Sequence, residues 1–215
     1  MSYFEENLPE MDRYLEEHAS VEPTLLKRLR RETYQKTTQP HMISGYQQGR
    51  FLSMISQLKR PKTILEIGTF TGYATLCLGE GLSSDGKIVT LDINEDLAYL
   101  PKSYFEQSDL SDRIEFRLEN AIKYLESTDQ TFDLVFIDAD KENYVTYFEL
   151  IKPKLNPGAI LLFDNVLWYG KVLEKEPTLK STQVIQRLND LIAKDEGFEN
   201  LILPLRDGVH VALKK

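Results

Sequence analysis

In the amino-terminal part of the chain, apolar side chains recur every three to four positions: Leu25, Leu26 and Leu29, then Phe51, Leu52, Ile55 and Leu58. That period is helical and predicts helices over residues 3–17, 23–36 and 44–58. Beyond Pro61 the pattern changes. The stretches "TILEIG", "KIVTLD", "RIEFRL", "FDLVFID" and "GAILLFD" are short, β-rich and almost unbroken in apolar character. Strands covered on both faces read this way. Helix-length stretches around 73–83, 95–108, 120–127 and 142–153 separate them, and this alternation predicts a doubly wound α/β sheet. The last third differs. After a long connection over 165–178 comes a helix over 179–195, and then "ENLILPL" and "GVHVALKK" read as two strands turned through Arg206, Asp207 and Gly208. An antiparallel strand appended at one edge of the sheet is the expected ending.

With 215 residues, 41% of them apolar, the chain suits one domain, a helical cap over 1–59 on an α/β core over 60–215. The net charge of -8 is spread along the chain and argues against a phosphate-neutralising face for nucleic acid. One basic run, "KRLRRE" with Lys27, Arg28, Arg30 and Arg31, reads as the solvated face of a helix. The acidic start lacks the basic and then apolar regions of a signal peptide, and no apolar run approaches the roughly 18 residues of a membrane span. A soluble, cytoplasmic protein is the expectation. Cys77, the only cysteine, sits among helix-forming apolar residues and reads as core packing. His18, His41 and His210 are scattered and read as surface or packing residues.

Candidate chemistry gathers at the predicted strand ends, where open α/β sheets bind their ligands. In "EIGTFTGYA", Gly68 and Gly72 let the backbone approach a ligand at a helix amino terminus, although such glycines also serve tight strand–helix packing. The loop lacks the Gly-x-Gly-x-x-Gly spacing of dinucleotide binders. Asp92 closes the second strand, where an acid accepts hydrogen bonds from both hydroxyls of a ribose. Glu66 suits the cationic end of a ligand better than a phosphate. An aminoacyl nucleoside, S-adenosylmethionine, meets these constraints. Further on, "FDLVFID" ends at Asp138 and "GAILLFD" at Asp164, followed by Asn165. If these strands are neighbours, two carboxylates and an amide oxygen converge and repel unless a cation sits between them. Three oxygen ligands select a hard ion, Mg²⁺, Mn²⁺ or Ca²⁺.

Taken together, "HMISGYQQGRFL", "EIGTFTGYA", "LDIN", "FIDADKENY", "FDNVLWYGKV" and "PLRDGVHVALKK" resemble, in this order, the cation-dependent class I O-methyltransferases that include the caffeoyl-CoA and catechol enzymes. The resemblance runs from about Thr38 to the end and implies a Rossmann-like, mostly parallel seven-stranded sheet. It implies Asp138, Asp164 and Asn165 as metal ligands and Lys141, with Asp138, as the catalytic pair. Glu66, Gly68 and Asp92 align with positions holding the methionine and ribose parts of the methyl donor. Met42, Ser44, Ala121 and Asp140 align with the lining of the donor pocket, and Thr69 and Ala74 belong to the same loop and helix start. Ala74 stands where relatives often carry Ser, and "LENA" lacks their usual glycine before Ala121. Trp168 and Tyr169 are candidates for stacking on an aromatic acceptor. The resemblance also implies a homodimer and a small phenolic substrate. A dinucleotide-dependent oxidoreductase and a noncatalytic binding protein are the competing readings.

Overall fold

The structure is a computed structural model and describes residues 8–215. Residues 3–7 of the first predicted helix lie outside the described residues. Helices α1 (Leu8–Glu17), α2 (Thr24–Lys36) and α3 (Gly45–Lys59) come first. Strands and helices then alternate: β1 (Thr63–Ile67), α4 (Tyr73–Gly79), β2 (Lys87–Asp92), α5 (Tyr99–Glu106), β3 (Ile114–Leu118), α6 (Ala121–Ser127), β4 (Phe132–Ile137), α7 (Tyr144–Ile151) and β5 (Leu155–Asp164). Helix α8 (Lys180–Ala193) and strands β6 (Phe198–Leu203) and β7 (Val209–Lys214) complete the chain. Three helices are shorter than their apolar pattern suggests. The side chain of Asn94 accepts the amides of Asp96 and Leu97 and holds a turn ahead of α5. Pro153, which lacks an amide proton, ends α7 in a short 3₁₀ turn. Helix α4 stops at Gly79.

The sheet order is β3-β2-β1-β4-β5-β7-β6, parallel from β3 to β5, with β7 antiparallel to both its neighbours. Because side chains alternate across a strand, Leu65, Ile67, Val135, Ile137, Leu161 and Phe163 face α6, α7 and α8. Ile64, Ile88, Leu134, Phe136 and Leu162 face α2 to α5, where Cys77 packs with no exposed surface. β1, β2, β4 and β5 are covered on both faces along most of their length, which is why they read as continuous apolar runs, whereas β3 at the edge is half-buried or exposed. Among the described residues no helix is long and apolar enough to cross a membrane.

Two features place the site. The chain winds from β1 out to β3 and then returns to β4 on the other side, so β1 and β4 diverge at a switch point where a crevice forms beyond their carboxyl ends. The final hairpin is appended at the β5 edge of the sheet, as expected, with β7 as its inner strand and Val209 opposite Asp164. Its turn therefore lies over the carboxyl end of β5.

Candidate active site

A cavity of about 1470 Å³ opens at this switch point. On one side the loop after β1 forms its floor. Gly68 has φ +101°, and a Cβ there would lie 2.1 Å from the carbonyl oxygen of Asp138, so only glycine lets β1 and β4 close against each other at this point. The amides of Gly68 and Thr69 donate to Leu91 O, and Phe70 N donates to Asp92 Oδ2 at 2.7 Å. Asp92 Oδ1 accepts two more amides, from Ile93 at 2.8 Å and Asn94 at 2.9 Å. These bonds use about three of the roughly four acceptor positions of a carboxylate, leaving room for about one ribose hydroxyl where the sequence suggests two. Gly68, Asp92, Ala121 and Met42 all line the cavity.

Four residues expected at the donor stand behind this wall. Ser44 is buried, and its carbonyl accepts from Arg206. Ala74 is buried on α4 and Thr69 is 2% exposed. Glu66 has no exposed surface at all. Strand alternation turns it onto the α4 face, where the hydroxyls of Thr75 and Thr90 donate to its Oε2, the latter at 2.6 Å. Thr69 Oγ1 joins the chain 2.6 Å from Thr90 Oγ1. Glu66 Oε1 has no partner. Burial first, with the negative charges of Asp138 and Asp92 adding to it, pushes the carboxyl up to about 8. Glu66 therefore supports the loop as a neutral acid.

The opposite side carries the charged groups. Strands β4 and β5 are hydrogen-bonded neighbours in a register that pairs Ile137 with Phe163, so Asp138 and Asp164 leave adjacent strand tips side by side. Asp164 is 2% exposed, and burial followed by the charge of Asp138 pushes its carboxyl up to about 7. Gln48 Nε2 donates to its Oδ2 at 2.8 Å and Asn165 N to its Oδ1 at 2.9 Å. Lys141 Nζ lies 2.9 Å from Asp138 Oδ1 and 2.6 Å from the hydroxyl of Tyr144. That buried hydroxyl also bonds Asp164 O at 3.0 Å and so ties the two tips together. Asp140 lines the cavity and accepts from Tyr147 at 2.6 Å. Among the described residues no group of three or more His, Cys, Asp and Glu side chains is gathered for a metal. The candidate set is two carboxylates and the Asn165 amide, and a buried acid beside a second acid fits a hard cation that would relieve their repulsion.

Trp168 and Tyr169 form the third wall, both in left-handed backbone (φ 50° and 54°), with ring centroids 5.8 Å apart. The loop hangs on the hairpin turn, since Leu167 N donates to Asp207 O and Tyr169 N to Asp207 Oδ1. His41, read from the sequence as a surface or packing residue, is exposed and stands on the cavity rim. His18 is exposed, and His210 is buried against Asn189 and Asn200 away from it. Sequence reasoning missed Gln48, Tyr144, Arg206 and Asp207. Only Gln48 leaves a trace, a polar residue on the otherwise apolar or small buried side of α3.

A model of the O-methyltransferase family matches residues 16–215, and the chain belongs to that family. It is 32% identical over 206 residues to the catechol O-methyltransferase domain-containing protein 1 of Mus musculus, covering 94% of this chain and 78% of that one. Identity to caffeoyl-CoA O-methyltransferase 1 of Eucalyptus globulus is 33% over 199 residues, covering 87% and 80%. The solved O-methyltransferase of Bacillus cereus in complex with SAH superposes with a TM-score of 0.88 at 32% identity, covering 96% of this chain and 97% of that one.

Proposed function

We propose that this chain, an S-adenosylmethionine-dependent O-methyltransferase, methylates one hydroxyl of a vicinal diphenol with the help of a divalent cation. One observation carries the reading: the glycine loop with Asp92 and the Asp138, Lys141, Asp164 and Asn165 cluster face the same cavity. The family assignment sets aside the oxidoreductase reading.

Asp138, Asp164 and Asn165 are the residues that would hold the ion. When bound, a divalent cation lowers the pKa of a coordinated hydroxyl, as it does for water, and two vicinal oxygens suit its open positions. The residues of the chain do the rest. Lys141, the one lysine lining the cavity among the described residues, has its Nζ held by Asp138 and Tyr144, where the neutral amine would take the proton the acceptor gives up. The acceptor oxygen then bonds to the methyl carbon while the carbon–sulfur bond of the sulfonium breaks, leaving a neutral thioether. Such a displacement depends chiefly on alignment, and the loop after β1 and the Trp168–Tyr169 wall supply it by bounding the cavity from two sides. The partly buried indole of Trp168 offers a face for an aromatic acceptor.

The test is a methyl-transfer assay with labelled S-adenosylmethionine and a panel of catechol, caffeoyl esters and flavonoids, with and without a chelator. Transfer to a vicinal diphenol that stops on chelation and returns with Mg²⁺ is the expected result. Undiminished transfer after the metal has been removed refutes the cation's role.

A further inference from the structure

Two stretches bound the site without entering the proton and methyl transfers described above: residues 41–48, "HMISGYQQ", and the turn "LRDG" of residues 205–208. They meet at the mouth of the cavity. Arg206 is on the surface, yet its guanidinium points inward along the backbone. Its Nη1 donates to the carbonyls of Ile43, at 2.7 Å, and Ser44, and its Nη2 to that of His41 at 3.1 Å. The same Nη1 reaches Gln48 Oε1 at 3.3 Å. Arginine only donates and a carboxylate only accepts. The buried Gln48 amide is therefore oriented from both ends, its oxygen toward Arg206 and its nitrogen toward Asp164.

The next residue works in the opposite direction. Asp207 accepts Leu167 N at 2.9 Å with its carbonyl and Tyr169 N at 2.6 Å with Oδ1, while Gly208 O accepts Val166 N at 3.1 Å. The turn is packed onto the loop: Gly208 has φ +87°, and a Cβ there would lie 2.4 Å from Leu167 Cγ. Trp168 and Tyr169 hold left-handed backbone that their side chains disfavour, so bonds from outside the loop must fix it. Asp207 supplies them.

We propose that Arg206 and Asp207 are positioning residues for methyl transfer. Arg206 holds the donor-side wall at His41–Ser44 and, through Gln48, the carboxylate of Asp164, while Asp207 holds the Trp168–Tyr169 wall on the acceptor side. This rests on the donor reading given above. One turn thereby sets the spacing of the two walls between which the methyl group must travel.

Trp168, the only tryptophan, reports on the acceptor wall by fluorescence. S-adenosylhomocysteine binding, measured by calorimetry, reports on the donor wall. Arg206→Ala is expected to weaken that binding about tenfold, the loss of hydrogen bonds to a charged donor. Arg206→Lys, which keeps the charge without the fork, should lie between and carries the same test if the alanine variant does not fold. Asp207→Ala should raise acrylamide quenching of Trp168 severalfold with donor affinity within about twofold of wild type. Asp207→Asn, which still offers an acceptor to Tyr169 N, should restore quenching to the wild-type level. The proposal is overturned if both Arg206 variants bind S-adenosylhomocysteine as tightly as wild type, or if Asp207→Ala leaves Trp168 quenching unchanged. It is equally overturned if all variants shift both readouts together in proportion to lost melting temperature. A wild-type protein that fails to bind S-adenosylhomocysteine overturns the donor reading itself.

Discussion

Glu66→Gln is the sharpest probe of how the donor loop is supported. The carboxyl has no exposed surface, and its neighbours are the hydroxyls of Thr75 and Thr90, with Asp92 and Asp138 as like charges beyond them. Its folded-state pKa of about 8 lies above the ordinary value of 4.5. A carboxyl raised in this way contributes stability that is fully present below the unfolded pKa and lost as pH climbs through the folded one. At about 1.4 kcal/mol per unit, the wild type should lose about 3 kcal/mol between about pH 5.5 and about pH 8.5 through this group alone. The amide cannot ionise, and its carbonyl still accepts from the two threonines. Urea unfolding at several pH values should therefore give a flatter profile for Glu66→Gln, the gap between the proteins widening by about 3 kcal/mol toward alkaline pH. Other titrating groups are common to both proteins and largely cancel in the difference. Parallel profiles, agreeing to within about 1 kcal/mol across that window, would refute the claim that Glu66 is a buried neutral acid.

Lys141→Ala should lower turnover by about two to four orders of magnitude while calorimetry shows S-adenosylhomocysteine bound as in wild type; an unaffected rate removes Lys141 from the proton transfer. Gly68→Ala places a methyl group 2.1 Å from Asp138 O at a φ of +101°, so the loop must move, and donor affinity should fall more than about tenfold in the same calorimetric titration. His210 acts on stability at acid pH, since burial lowers its folded-state pKa to about 4 from an ordinary 6.5. Burial disfavours the charged form. Stability is thus complete above the unfolded pKa and lost as pH falls from there toward about 4, and His210→Gln should reduce this acid loss by up to about 3 kcal/mol in urea unfolding.

What was legible in the sequence follows from local constraint. Strands buried on both faces must be continuously apolar, so an acid ending such a run, as Asp138 and Asp164 do, announces a strand tip with a purpose. The parallel pairing of β4 with β5 then turns two coincidences into one cluster. Glu66 shows the limit of the same reasoning. It too is an acid near a strand end, but two residues short of Gly68, where alternation turns it under α4 and away from the cavity. The period of two that marks a strand also decides which side of the sheet an acid serves, and a motif read as a string does not carry that information.

The residues that were not legible are those whose partners are far away along the chain. Gln48 reaches Asp164 across 116 positions and Arg206 reaches Ile43 across 163. Arg206 has no local signature, because an isolated arginine looks like any solvated side chain, and the trace that Gln48 leaves on the buried side of α3 does not name its partner. The contact exists only because β7 slides between β5 and β6 and carries the turn over the end of β5. Had β6 rather than β7 been the strand paired with β5, β7 would lie one strand farther from Asp164, about 4.8 Å. Hydrogen bonds of about 3 Å to residues 41–48 and to the Trp168 loop would then not form together. The strand order, more than any motif, therefore brings Gln48, Arg206 and Asp207 around the tips that the sequence does reveal.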